Sequence, residues 1–201
     1  MQILDLFSGI GGFSLGFESA NFKDYDFLKL PTEQESINDG FFKTVAFCEI
    51  DTNCHKVLKK HWADVPIFHD VTKITKDDLA QLGKIDIITG GFPCQDLSCA
   101  GKRVGLSGSR SGLFSEILRL AKDSNARFIL FENSGELITN KAYFKVFTQE
   151  LRECGYEYRA FLLRASAYGY MHERKNAFSK KIKANIHSRE KVYRWVYISS
   201  Q

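Results

Sequence analysis

Cys94 stands in "GGFPCQDLSCAG", residues 90 to 101, directly behind a proline and flanked by glycines. Cysteine attacks as a thiolate, and its ordinary pKa of about 8.5 calls for a positive or hydrogen-bonding surround. Proline stiffens the approach to such a nucleophile, and glycines leave room for a flat substrate. Thirty-eight residues further on, "FENSG" presents Glu132. A carboxyl group beside a nucleophile can give a proton to the substrate or take one from it. Later still, "HERKN" offers Arg174, a planar cation suited to a carbonyl or a phosphate. Cys99 lacks the setting of Cys94 and reads as structural.

A second group of residues suits a nucleotide-like ligand. "DLFSGIGGF" carries Gly9, Gly11 and Gly12 where an apolar run gives way to a helical one. Glycines there let a ligand approach the backbone, and a helix N-terminus favours negative charge. "FCEID" ends an apolar run with Glu49 and Asp51, where nucleotide-binding folds hold ribose hydroxyls. Asp70, in "HDVTKI", falls where it could meet an adenine edge. Taken singly, each of these acids also suits a helix cap or a solvated loop end.

Such groups work only if the fold collects them. "QILDLF", "TVAFCEI", "IDIITGG", "ARFILFEN" and "YRAFLLRAS" read as strands. Between them "FSLGFESA" has helical spacing, with Phe13, Phe17 and Ala20 on one side. "TNCHKVLKKHW" reads as a helix capped by Thr52 or Asp51. "SGLFSEILRLAKDS" carries an apolar stripe of Leu113, Ile117, Leu118 and Ala121. "YFKVFTQELRECGY" is a helix closed by Gly155. The alternation predicts an α/β fold, a mostly parallel sheet with helices on both faces. Ligands bind such sheets at the carboxyl ends of the strands, where all the groups above fall. Residues 21 to 42 break the pattern and read as a surface insertion.

Composition agrees with one domain: 201 residues, 44% apolar and 26% charged. No apolar run approaches the roughly 20 residues of a membrane span, and "MQILDLFSGIGG" shows no basic leader, so a cytoplasmic address is expected. Five cysteines without Cys-x-x-Cys spacing argue against both a disulfide framework and a metal site. Cys48, Cys54 and Cys154 read as small buried residues. Net charge is +4, but residues 173 to 201 hold eight Lys/Arg against two Asp/Glu. That basic end suits a phosphate backbone or is simply a solvated terminus.

Together, "DLFSGIGGFSLGFE", "FCEID", "HDVTKI", "GGFPCQDLSCAGKRVGL", "SRSGLF", "FEN" and "YGYMHERKNAF" resemble, in order and spacing, the motifs of the cytosine-C5 DNA methyltransferases. The resemblance covers most of residues 2 to 178. It implies a Rossmann-like methyltransferase fold and an enzyme, often of a restriction-modification system, that methylates C5 of a flipped-out cytosine in double-stranded DNA. The methyl donor implied is S-adenosylmethionine. Cys94 would attack C6, Glu132 would hold a proton at N3, and Arg174 would contact the cytosine carbonyl. The cofactor would lie against Phe7, Gly9, Gly11 and Gly12, with its ribose on Glu49. Its adenine would sit between Ile50 and Val71, with Asp70 at the amino edge and Leu113 lining the pocket. Residues 95 to 110 match the family's active-site loop, with Gln95, Ser98, Lys102 and Arg103 facing DNA. No metal is implied.

Departures from the family pattern are specific. Ser134 replaces the usual valine after "EN", His172 replaces a glutamine, and Asn176 replaces a second arginine. The family continues into a target-recognition domain and closing motifs, whereas residues 179 to 201 form a basic tail without the apolar strand expected next. A lone enzyme, a catalytic subunit completed by a second polypeptide, a non-catalytic remnant that binds cofactor or DNA, and an RNA cytosine methyltransferase all fit this reading.

Overall fold

A computed structural model describes residues 1–20, 41–92, 112–133, 136–160, 162–164, 175–177 and 195–197. Strands β1 (Gln2–Leu6), β2 (Lys43–Cys48), β3 (Ile67–Phe68), β4 (Ile87–Gly90), β5 (Phe128–Phe131) and β8 (Trp195–Tyr197) form one parallel sheet in the order β3-β2-β1-β4-β5-β8. In β1 and β4 successive residues are buried, Ile3 to Leu6 and Ile87 to Gly90. Successive strand side chains point to opposite faces, so both faces of these two strands are covered.

Local chemistry explains the helices between them. In α1 (Gly12–Ser19) the chain enters through Gly11, whose φ of 85° an L side chain rarely adopts. Asp51 caps α2 (Thr52–His61) by accepting from the Asn53 amide at 2.8 Å, which decides between the two expected caps. Lys59, Lys60 and His61 complement its C-terminal dipole. A 3₁₀ turn (Val71–Lys73) leads to α3 (Lys76–Leu82), which opens on a capping box between Thr75 and Asp78. Helix α4 (Gly112–Asp123) buries Ile117, Leu118 and Ala121 of the expected stripe together with Phe114 and Leu120, which are not in it, and leaves Leu113 half-buried. After β5 come a short α5 (Glu136–Thr139) and α6 (Lys141–Glu153), beyond which Gly155 takes φ 78°.

Four expectations need correction. The inward face of α1 is polar: Ser14, Glu18 and Ser19 are buried, Phe13 and Phe17 are only half-buried, and Ala20 is exposed. The strand expected at "YRAFLLRAS" is β6 (Leu162–Arg164), and it pairs antiparallel with β7 (Lys175–Ala177) outside the main sheet. The basic C-terminal stretch contains β8, which continues the main sheet beside β5. Three β-branched or aromatic residues suffice for such an edge, a signal too short to see against the surrounding charge. Finally, Cys48 is buried but Cys54 and Cys154 are half-buried. At the end of the predicted insertion, Phe42 packs on Phe17 with ring centroids 5.0 Å apart; residues 21–40 lie outside the described residues.

Candidate active site

Strand order reverses between β1 and β4, because the chain runs outward through β2 and β3 before returning to the other side of β1. Connections leaving neighbouring strands in opposite directions open a crevice at their carboxyl ends. Register decides what stands there. Leu6 pairs with Cys48 and with Gly90, and Gly90 pairs with Phe131. The next residues, Glu49, Phe7, Gly91 and Glu132, therefore line up side by side across a span of about 14 Å, three strand spacings.

On the β1 side the glycine turn is tied to β2. The Gly9 amide donates to Glu49 Oε2 at 2.7 Å, and the Asp51 amide donates to Oε1 at 2.8 Å. Phe7 holds φ 52° and Gly9 φ 54°. Strain in a residue such as Phe7 persists only where its surroundings over-determine it. An added Cβ at Gly9 or Gly12 would meet no protein atom within 4 Å, whereas one at Gly11 would strike the Trp62 ring at 2.7 Å. Gly11 is thus small for the protein's own packing, while the surfaces of Gly9 and Gly12 are open to a ligand. Ile50 beside them is 70% exposed, an uncovered apolar surface at the mouth of the crevice.

Asp70 caps the 3₁₀ turn, accepting from the Thr72 hydroxyl at 2.8 Å and the Thr72 amide at 2.9 Å. Those two hydrogen bonds, hydroxyl first, hold its carboxyl below the usual range. Val71 is 4% exposed and belongs to the core, so between the two residues expected around an adenine only Ile50 offers open surface. Arg119 on α4 secures this loop, donating to the carbonyls of Ile74 at 3.0 Å and Val71 at 3.2 Å.

On the β4 side, Gly91 makes room for the general-acid candidate: a Cβ there would lie 3.1 Å from Glu132 Oε2. Asn133, buried, donates its side-chain amide to the Phe92 carbonyl at 2.8 Å. Phe92 is anchored among Phe114, Phe131 and Phe147, with centroids 5.4, 5.8 and 6.4 Å away. The position of Phe92 is therefore set from β5, α4 and α6 together. Cys94, Gln95, Ser98, Cys99, Lys102, Arg103 and Arg174 lie outside the described residues.

Below both halves lies Asp5, fully buried. Its Oδ1 accepts from Thr89 of β4 at 2.5 Å and its Oδ2 from Ser14 of α1 at 2.8 Å. Burial pushes this carboxyl up to about 6, with the Thr89 and Ser14 hydrogen bonds opposing the rise. Burial likewise pushes the Cys48 thiol up to about 12, aided by Glu49 and Asp70, so that cysteine is no nucleophile. Asp5, Asn133, Arg119 and Glu18 all bond to partners remote in the chain. Only Asn133, adjacent to Glu132, has a local signal in the sequence. Among the described residues no His, Cys, Asp or Glu cluster suits a metal ion, and no helix is long and apolar enough to cross a membrane.

A parallel sheet with this strand order, a glycine turn and an acidic second strand defines a Rossmann-like nucleotide-type fold. The chain belongs to the C-5 cytosine-specific DNA methylase family, whose model matches residues 1–193. It is 32% identical over 189 residues to the Type II methyltransferase M.CviJI of Paramecium bursaria Chlorella virus IL3A, covering 94% of this chain and 45% of that protein. With the Type II methyltransferase M1.ScrFI of Lactococcus lactis subsp. cremoris it shares 34% identity over 179 residues, 88% of this chain and 40% of the relative. The chain thus spans less than half the length of these relatives. In fold it resembles the S. pombe Dnmt2 methyltransferase, with a TM-score of 0.62 at 21% identity over 87% of this chain and 48% of that one. A Spodoptera frugiperda DNMT2 mutant gives 0.63 at 21% identity, over 97% and 54%.

Proposed function

We propose that this chain is the catalytic part of a DNA cytosine-C5 methyltransferase. The observation that carries the reading is the alignment of the glycine turn, Glu49, Gly91 and Glu132 along one crevice, with Cys94 three residues beyond Gly91 in the chain. S-adenosylmethionine, when bound, supplies an electrophilic methyl group. The open surfaces over Gly9 and Gly12 and the exposed Ile50 fit that molecule, and Glu49 and Asp70 are the groups to hold its ribose and adenine. Phe7 and Leu113 are assigned to the lining of the same pocket.

Cys94 forms a bond to C6 of cytosine through its thiolate, which makes C5 nucleophilic. Glu132 keeps a proton at N3, so negative charge does not build up on the ring as the sulfur adds. Arg174 binds the cytosine carbonyl. Once C5 carries the methyl group, loss of the C5 proton to a water molecule lets the Cys94 sulfur leave as thiolate and restores aromaticity. Because C5 and C6 are inaccessible in a base stack, the target base is turned out of the duplex. Gln95, Ser98, Lys102 and Arg103 provide polar and cationic side chains toward that DNA.

The test is transfer of a labelled methyl group from S-adenosylmethionine to mixed-sequence DNA, comparing the 201-residue chain with Cys94→Ser. Transfer by the intact chain alone is expected. Equal transfer by Cys94→Ser would remove the adduct chemistry, and transfer to RNA but not to DNA would change the substrate.

A further inference from the structure

We propose that Glu18 and Trp62 form a pair of positioning residues that holds the glycine turn in the shape that receives the cofactor. The inference rests on the methyltransferase reading for what the turn binds. Its geometry stands independently of that reading.

Glu18 lies on the polar inner face of α1 and is 4% exposed. Oε1 accepts from the Thr44 amide of β2 at 2.7 Å, and Oε2 accepts from the Trp62 indole N–H at 2.7 Å. Among the described residues no cation pairs with this carboxylate. A buried charge is costly to keep, and an apolar side chain would pack α1 against the sheet more cheaply. What the carboxylate provides is two acceptors for two donors on different elements. A carboxamide has one acceptor oxygen and would turn its NH₂ toward the second donor.

Trp62 passes this constraint to the turn. Its ring packs against Phe47 with centroids 5.2 Å apart, and its other surface meets Gly11. A Cβ on Gly11 would lie 2.7 and 2.8 Å from two ring carbons. Gly11 donates its amide to the Ser8 carbonyl at 2.8 Å and carries φ 85°, so it is the pivot of the loop from β1 into α1. Phe47 meets the indole edge to face at 63°, and the bond to Glu18 adds a second, directional restraint. The indole is therefore a fixed floor under the turn, one step removed from the ligand.

The experiment compares the intact chain, Trp62→Phe, Glu18→Gln and the double variant. It reads the backbone amide resonances of Gly9 and Gly11 and the dissociation constant for S-adenosylmethionine. Each single variant is expected to move the Gly11 resonance and weaken binding about ten-fold. The double variant should lose less than the product of the two single losses, because both changes act on the Glu18–Trp62 contact. Tyr156→Phe serves as control. It removes the buried hydroxyl's bond to the Ala126 carbonyl at 2.8 Å, lowers the thermal midpoint, and should leave the Gly11 resonance and the affinity in place. An unmoved Gly11 resonance in Trp62→Phe, or losses that multiply in the double variant, would overturn the pairing. If Glu18→Gln fails to fold, Trp62→Phe and the control decide. Absence of cofactor binding by the intact chain would count against the functional reading, and the Gly11 resonances would still decide the geometry.

Discussion

Asp5 illustrates how a single buried carboxyl serves two halves of the site. It joins β4, which leads to Cys94, to α1, which carries the glycine turn. With its pKa raised from 3.8 to about 6, the native state binds a proton more tightly than the unfolded chain does. Stability from this group therefore falls as pH rises from about 4 to 6 and levels off above, a difference of about 3 kcal/mol. Asn does not titrate in this range, although its NH₂ cannot accept from the Ser14 backbone amide that also donates to Asp5. Asp5→Asn should thus flatten the dependence in that window, measured by denaturant unfolding at several pH values. At the crevice, Glu49 accepts two amides, so Glu49→Ala leaves the Gly9 and Asp51 N–H groups without their partner. It should weaken cofactor binding by about 1–3 kcal/mol in calorimetry. Gly91→Ala puts a methyl group against the Glu132 carboxylate. It should lower the methyl-transfer rate about ten-fold or more, by displacing a group whose placement matters to the chemistry, with less effect on unfolding.

Between elements, the decisive interactions are aromatic and polar rather than merely apolar. Phe92, Phe114, Phe131 and Phe147 come from a strand end, two helices and a strand, and all are buried. They fix the point where the chain leaves β4 for "PCQ". Phe114→Ala should cost about 3–5 kcal/mol in denaturant unfolding, because three rings lose a neighbour and the cavity cannot collapse against a sheet. Arg119 performs the corresponding service for the loop of Asp70, linking α4 to the Val71 and Ile74 carbonyls while Glu116 accepts from its Nε at 2.7 Å. Helix α1 reverses the usual logic by turning Ser14 and Glu18 inward, since those residues bond to Asp5, Thr44 and Trp62.

On the scale of the whole molecule, the crevice exists because the strand order reverses beside β1. The positive excess lies toward the C-terminus, where residues 173 to 201 hold eight Lys/Arg against two Asp/Glu. If that stretch meets the phosphate backbone, replacing Lys180, Lys181 and Lys183 by Gln should weaken DNA binding equally across sequences. It should also reduce the slope of log affinity against log salt by about 0.9 for each phosphate no longer neutralised, read by fluorescence anisotropy.

The amino-acid sequence alone determined β1, α1, β2, α2, β4, α4, β5 and α6 in that order, the strand-end location of Glu49, Gly91 and Glu132, and the family, but not α3, the two-residue β3 or the four-residue α5. These are local matters: periodicity, turn residues and motif spacing lie within a few residues of one another. Tertiary structure alone decided that Leu6, Cys48, Gly90 and Phe131 share a level, and hence that Glu49, Gly91 and Glu132 face one crevice. It also decided the inverted face of α1, where Phe13 and Phe17 have the spacing of a core stripe yet Ser14 and Glu18 are inside. Partners for those side chains come from Thr44, Trp62 and Asp5, and pairings between residues remote in the chain leave no trace in local pattern. The same holds for β8, whose three residues become a strand only because β5 offers an edge to pair with.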